Sequence, residues 1–368
     1  MEILVTGSNG FIGRNLLWHL RQNGYTNIME YDIDTDPRLL DTYAERCDFV
    51  FHLAGVNRPR DTGEFMSGNA DFTQRLLEEL EKNGGKASVL AASSVQAAAY
   101  NPYGQSKKAM EDLVFSYGKK TDTPVFVYRL PNVFGKWCRP GYNSAVATFC
   151  HNIARGIPIQ INDSETVLKL VYIDDLTEQF IRTAQGDTPC TGEFYDLEPV
   201  YSIKLGRVAK LLKGFHDKRE SLRIPELSDA FTKKLYSTYL SYLPSGEFDY
   251  PLKIHTDTRG TFTEFLRMAD GQVSVNISKP GVTKGNHWHH SKNEKFLVVS
   301  GRGIIRFRPV GGERVTEYSV DEDHLRVVDI PPGYAHSIEN TGSTNMVTVM
   351  WANECFDPKN PDTYTMTV

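Results

Sequence analysis

Residues 1–15 read MEILVTGSNGFIGRN: an apolar run, Ile3–Thr6, followed by glycines at positions 7, 10 and 13. The run has the length and composition of a buried strand. The stretch after it, GRNLLWHLRQNG, puts Leu16, Leu17 and Leu20 on one helical face and stops at Gly24. A strand that turns through G-x-x-G-x-x-G into a helix brings bare backbone up to the helix N-terminus. Backbone N–H groups there can meet a pyrophosphate whose charge the helix end favours. Gly7, Gly10 and Gly13 are therefore read as the floor of a dinucleotide site.

Working outward, EILVTG, NIMEYD, DFVFHLAG, ASVLAASS and PVFVYRLPN read as buried strands alternating with helical segments. That order predicts a Rossmann-like, doubly wound parallel sheet. Asp32 ends the second of these strands, where a carboxylate can accept from ribose hydroxyls and repel a 2'-phosphate. This favours NADH, whereas Arg14 and Arg38 are available to a 2'-phosphate, so the expected cofactor is NADPH or NADH. NPYGQSKKAMEDL carries Tyr103 and Lys107 four residues apart, hence on one helical face. An ammonium beside a phenol lowers its pKa from about 10, which suits a tyrosine exchanging a proton with a carbonyl oxygen. Ser94, or its neighbour Ser93, can hold the same oxygen.

Past residue 200, SIKLGRVAKLLKGFHD and LSDAFTKKLYSTYLSYL are the last helical stretches, and LPSGEFDYPLKI reads as a linker. Beyond it come only short strands and turns, the pattern of an antiparallel sandwich or barrel. The expected domains are 1–243 and 244–368. In the second, GVTKGNHWHHSKNEKFLVVSG (Gly281–Gly301) sets His287 and His289 two apart, so that on a strand they share a face. Glu294 is expected to return on the paired strand, and His336, in PPGYAHSIEN, to add a fourth donor. Three imidazoles and a carboxylate suit a divalent transition metal. His290, Lys292 and His324 are further polar groups near these motifs.

The chain has 368 residues, 40% hydrophobic and 24% charged, with a net charge of -5. That balance argues against a nucleic-acid surface, and no apolar run approaches the ~18 residues of a membrane span. The chain opens on a strand rather than a signal peptide, and its five cysteines, among them Cys190, are scattered without C-x-x-C spacing. Both features point to the cytoplasm.

TGxxGxxG, HLAG (52–55), Asn69 heading a helix, the serine, YxxxK, RLPNVFG and VYIDDL together resemble the extended short-chain dehydrogenase/reductases over roughly residues 1–240. The resemblance implies Ser94, Tyr103 and Lys107 as the catalytic trio. It also implies cofactor contacts from Phe11, Ile12, Leu53 and Ala54 beside the glycines, Asp32, Tyr103 and Lys107. The spacings G-x5-H-x-H-x4-E-x6-G and P-x-G-x2-H-x3-N are similar to the two cupin motifs, although Leu325 stands where the second motif opens with glycine. A double-stranded β-helix holding one divalent metal, zinc first, is implied.

The pair, with LYSTYLSYLPS and FDPKNPDTY, resembles the bacterial capsule and O-antigen enzymes of UDP-N-acetyl-L-fucosamine synthesis. The implied substrate is a UDP-linked 4-keto-6-deoxy-N-acetylhexosamine, epimerised at C3 in the cupin and then reduced at C4. The implied state is a homodimer. Other readings are a 4-epimerase or dehydratase with a regulatory cupin, and a non-enzymatic sensor of dinucleotide and metal. SSVQAAAY lacks the acid pair that a dehydratase would want.

Overall fold

The computed structural model describes residues 1–188 and 193–368, so Cys190 lies outside the described residues. The chain divides into two compact units, Met1–Leu212 with Lys233–Leu243, and Lys213–Thr232 with Pro244–Val368.

In the first unit, strands β1 (Ile3–Thr6), β2 (Ile28–Tyr31), β3 (Phe49–His52), β4 (Ser88–Ser94) and β5 (Val125–Leu130) form a parallel sheet in the order β2-β1-β3-β4-β5. Helices α1 (Phe11–Gln22), α2 (Leu39–Arg46), α3 (Gly63–Phe65), α4 (Phe72–Lys82), α5 (Pro102–Thr121), α6 (Ala145–Ile153) and α7 (Ile173–Ala184) accompany it. Both faces of the sheet are buried, as the unbroken apolar strands require. Leu4, Val50, Val89 and Val127 join one core cluster, with side chains from α2, α4 and α5. Their neighbours Ile3, Val5, Phe49, Phe51, Leu90 and Tyr128 join the other, with side chains from α1 and α7. Each fully buried aliphatic or aromatic side chain contributes about 1.5–3 kcal/mol. The strand order reverses between β1 and β3, which opens a crevice at their carboxyl ends. A smaller sheet, β6 (Asn132–Phe134), β7 (Val167–Tyr172) and β8 (Tyr201–Lys204), follows, with α8 (Leu205–Glu220) and α9 (Ala230–Leu240) after it.

The second unit is all-β. Strands β9 (His255–Asp257), β10 (Gly260–Met268), β11 (Gly271–Ser278), β12 (Thr283–Trp288), β13 (Glu294–Ser300), β14 (Arg302–Pro309), β15 (Thr316–Asp321), β16 (Val327–Ile330), β17 (Tyr334–Asn340), β18 (Met346–Ala352) and β19 (Tyr364–Thr365) make two antiparallel sheets. Their orders are β16-β13-β18-β11-β10-β9 and β15-β14-β17-β12-β19. Alternate side chains of both sheets, including Phe296, Val298, Ile305, Phe307 and Ile338, build one core. Lys213–Thr232 goes with this unit through its backbone: Ile224 N donates to Arg267 O, and Arg267 N to Leu222 O. No helix among the described residues is long and apolar enough to cross a membrane.

Candidate active site and metal centre

Gly7, at φ +69°, is the turn that the opening sequence demands. A Cβ there would lie 2.7 Å from Ala54 N and 2.8 Å from the Leu53 carbonyl carbon, so only glycine lets the loop back onto the end of β3. Gly7, Leu53 and Ala54 thus share one end of the crevice. Gly10 is the N-cap of α1, and no side chain caps that helix. The first-turn amides, from Phe11, Ile12 and Gly13, are available to an anion. Asp32 sits just past β2, where its Oδ2 accepts from Asn9 N at 2.7 Å. It thereby holds the glycine loop. These residues suit the phosphates and ribose of a dinucleotide.

Behind the loop, Thr73 Oγ1 donates to Asn69 O at 2.5 Å, so it accepts from His52 Nε2 at 2.7 Å. His52 Nδ1 then accepts from Thr6 Oγ1 at 2.8 Å. Burial, followed by the Lys107 charge, lowers the His52 pKa to about 3, so the ring is neutral. Asn69 does not head a helix. It lies in a π-helical turn, Met66–Asp71, before α4. From there its Oδ1 accepts from Val56 N at 2.9 Å, and its Nδ2 donates to Val56 O and to Ser106 Oγ. That clamp, which spacing alone gave no means of finding, fixes the segment after Ala54.

Asn101 caps α5 by accepting from Gly104 N at 2.8 Å, and Pro102 opens the helix. Tyr103 is therefore in the first turn and Lys107 one turn on. Lys107 is buried, and its Nζ donates to Ala92 O on β4 at 3.0 Å. Burial lowers its pKa to about 8, partly opposed by Glu111. The expected lowering of the Tyr103 pKa is not what the structure shows. Burial raises it, the Ser94 hydroxyl opposes that, and Lys107 is not among the causes. The serine beside Tyr103 is Ser94. Ser93 is committed elsewhere, donating to Glu111 Oε1 at 2.5 Å. Glu111 is fully buried and also takes Arg129 through both carboxylate oxygens, at 2.9 and 2.7 Å. No part of this Ser93–Glu111–Arg129 brace was anticipated from sequence.

In the second unit, His287, His289, Glu294 and His336 come together, each offering one donor atom, all within 4.8 Å of one another. Their strand origins differ from the expectation in two ways. His289 lies one residue beyond β12, and Glu294 opens β13, which pairs with β16 and β18 in the other sheet. The four residues 290–293 cross from one sheet to the other, so the donors close on each other from two sides. Within the first of these sheets, β12 and β17 pair with His287 opposite His336, after a bulge between Gly285 and His287. A Cβ on Gly285, at φ +95°, would meet His336 O at 2.8 Å, so glycine permits this close approach.

His289 Nε2, Glu294 Oε2 and His336 Nε2 are buried with no hydrogen-bond partner. Glu294 Oε2 stands 3.5 Å from each of the two nitrogens, close to the ~3.4 Å edge of a tetrahedron with metal–ligand bonds of about 2.0–2.1 Å. Burial opposes the Glu294 charge, but the neighbouring His289 and His336 outweigh it and hold the pKa well below the carboxylate range. Burial, then His336 and His289, lowers that of His287 to about 4. Two orphaned imidazole nitrogens, those of His289 and His336, beside an ionised carboxylate and the neutral His287 ring fit a divalent metal.

The cluster opens on a cavity of about 510 Å³, whose walls include Lys284, Lys292, Arg259 and Thr363. Lys284 Nζ donates to Asn276 Oδ1 at 2.7 Å and Ile277 O at 3.0 Å, and burial lowers its pKa. Of the extra polar groups, Lys292 faces the cavity. His290 is exposed against Trp288 and Tyr364, and His324 is exposed beside Asp321.

Residues 3–195 match the NAD dependent epimerase/dehydratase family, and residues 255–364 match the polysaccharide biosynthesis C-terminal domain. The chain is 45% identical to a UDP-2-acetamido-2,6-beta-L-arabino-hexul-4-ose reductase of Pseudomonas aeruginosa, over 100% of this chain and 99% of that protein. It is 48% identical to the capsular polysaccharide assembling protein CapF of Staphylococcus aureus, with a TM-score of 0.94 and full coverage of both chains. The UDP-glucuronic acid 4-epimerase of Bacillus cereus, solved with UDP-glucuronic acid and NAD, shares the fold. There the TM-score is 0.54 at 18% identity, covering 66% of this chain and 98% of that one.

Proposed function

The chain belongs to the NAD dependent epimerase/dehydratase family, and on that premise we propose that it is a bifunctional sugar-nucleotide enzyme. Its all-β unit epimerises C3 of a UDP-2-acetamido-2,6-dideoxy-4-hexulose. Its parallel-sheet unit then reduces the C4 ketone with NAD(P)H, giving UDP-2-acetamido-2,6-dideoxy-L-talose for capsule or O-antigen synthesis. The observation that carries the reading is the presence, in one chain, of a Tyr103–Lys107 pair on α5 and a four-donor cluster opening on a cavity.

A 4-keto group acidifies the proton at C3. In the all-β unit His287, His289, Glu294 and His336 would hold the metal, zinc in this reading, as a double-stranded β-helix of the cupin kind does. A divalent ion there supplies Lewis acidity toward the ketone. The cavity, in the size range of small-molecule sites, keeps the sugar beside the donors, and Lys284 and Lys292 present cations to its anionic groups. In the first unit, bound nicotinamide supplies the hydride. Gly7, Gly10, Gly13, Phe11, Ile12, Asp32, Leu53 and Ala54 hold the dinucleotide. The Tyr103 hydroxyl gives its proton to the developing C4 alkoxide, Ser94 orients that oxygen, and Lys107 places a positive charge behind the tyrosine. A tyrosine kept protonated by burial is in the state that a reduction needs. Reduction removes the acidity at C3 and so locks the new stereochemistry.

The working form is taken to be a cytoplasmic homodimer, checked by light scattering and fractionation. The chemistry is tested by incubating the protein with the 4-keto sugar nucleotide in D2O without nicotinamide. Deuterium is expected at C3, lost with His289→Ala and kept with Tyr103→Phe. Absence of exchange in the metal-loaded wild type would overturn the assignment of epimerisation to this chain.

A further inference from the structure

The stretch FDPKNPDTY, Phe356–Tyr364, has so far entered only through Thr363, on the cavity wall, and Tyr364, beside His290. We propose that Asp362 within it is a positioning residue for the metal centre, and that the segment around it is a strap that sets the metal's affinity. The proposal rests on the metal-centre reading above.

His289 Nδ1 donates to the Asp362 carbonyl at 2.5 Å. A neutral imidazole has a single N–H, so this bond fixes the tautomer and leaves the Nε2 lone pair facing the cluster. The Asp362 carboxylate grips the residues that follow. Oδ1 accepts from His290 N at 2.9 Å, and Oδ2 accepts from Ser291 N at 2.9 Å, Ser291 Oγ at 3.0 Å and Lys292 N at 2.8 Å. One residue therefore holds the whole start of the crossing between His289 on one sheet and Glu294 on the other. Its own backbone is at φ +35°, a conformation that a non-glycine residue adopts only when its surroundings impose it.

Those surroundings are further bonds to the same region. Strand β19 pairs with β12 at His287 and Trp288, Met366 N donates to Asn286 O at 2.9 Å, and Lys292 Nζ donates to Thr363 Oγ1 at 3.0 Å. The Nδ1 of His336, by contrast, makes a long 3.5 Å contact with Tyr334 O. His289 is the donor whose aim depends on the strap. Replacing the carboxylate frees the 290–292 amides and lets the carbonyl drift from His289.

The test compares full-length wild type, Asp362→Ala, Asp362→Asn and a control, Asp357→Ala. Asp357 lies in the same strap, where its side chain accepts from Lys359 N. Zinc affinity is measured by competition with a chelator, and the site geometry by the visible absorption of the cobalt(II)-loaded protein. Asp362→Ala is expected to lose about 10- to 100-fold in affinity and to change the cobalt spectrum. Asp362→Asn keeps the size but loses one acceptor oxygen, and should fall between; it carries the test alone if the alanine variant does not fold. Asp357→Ala should match wild type. Equal affinity in every folded variant would overturn the strap's role, and an equal loss in Asp357→Ala would overturn the particular role of Asp362. A wild type that takes up neither zinc nor cobalt would instead overturn the metal-centre reading beneath it.

Discussion

His287 and His336 face each other across paired strands β12 and β17, with ring centroids 4.6 Å apart and ring planes at 83°. His289 brings a third ring 5.0 and 5.2 Å from theirs. Three imidazoles packed this closely would repel if protonated, and burial keeps His287 neutral, so its ring can act as a lone-pair donor. Either His287→Ala or His336→Ala should leave less than one metal per chain by elemental analysis. Deuterium exchange at C3 should fall with metal content, while reduction of an already epimerised ketone should continue. Exchange that persists in a metal-free variant would dismiss the ion as a participant.

The two activities should separate at Tyr103. Tyr103→Phe removes the proton donor and should lower the rate of C4 reduction by about 10²- to 10⁴-fold. C3 exchange should stay near wild type, because no residue of the metal cluster is touched. A parallel loss of both would mean that the two reactions share a site.

Lys107 gives the reduction a pH limit. Its folded pKa, lowered by burial, is about 8, so its positive charge is present below that value and lost above it. The kcat/KM for reduction should fall as pH rises through about 8. In Lys107→Arg, which stays charged, the residual activity should lack this limb. A wild-type profile flat to pH 10 would remove the cation from the mechanism.

Asp32 should tune the cofactor. Its carboxylate disfavours a 2'-phosphate, so Asp32→Ser should raise the ratio of kcat/KM for NADPH over NADH. A variant with an unchanged ratio would limit Asp32 to holding Asn9 in the loop.

His52 predicts an acid limit to stability. Its folded pKa of about 3 lies below the ordinary value of 6.5, so the unfolded chain takes up the proton first. The contribution is fully present above about 6.5 and is lost as pH falls toward about 3. It amounts to a few kcal/mol, at about 1.4 per pKa unit. Denaturant midpoints measured from pH 7.5 to 4.5 should fall more steeply in wild type than in His52→Gln.

Much of this protein was legible in the chain because its signals are local. Strands Ile3–Thr6 and Phe49–His52 declare themselves by unbroken apolar runs, α1 by the spacing of Leu16, Leu17 and Leu20, and the Tyr103–Lys107 pair by helical period. The four residues of the His/Glu cluster are recognisable because two strand-spaced histidines and a glutamate lie within eight consecutive residues, with His336 after a proline-glycine turn.

Other features required the tertiary structure. Glu294 belongs to the sheet opposite His287, since a four-residue crossing looks the same in sequence as a hairpin turn. The sign of the Tyr103 pKa shift was set by burial, a property of everything packed around the ring rather than of the lysine four residues away. The aim of His289 depends on Asp362, 73 residues further along the chain. By itself the sequence determined which elements form and which donors are available, because propensity and period act over a few residues. The tertiary structure decided which donors meet, in what protonation state and in whose grip, because those are energies between surfaces that the chain brings together only by folding.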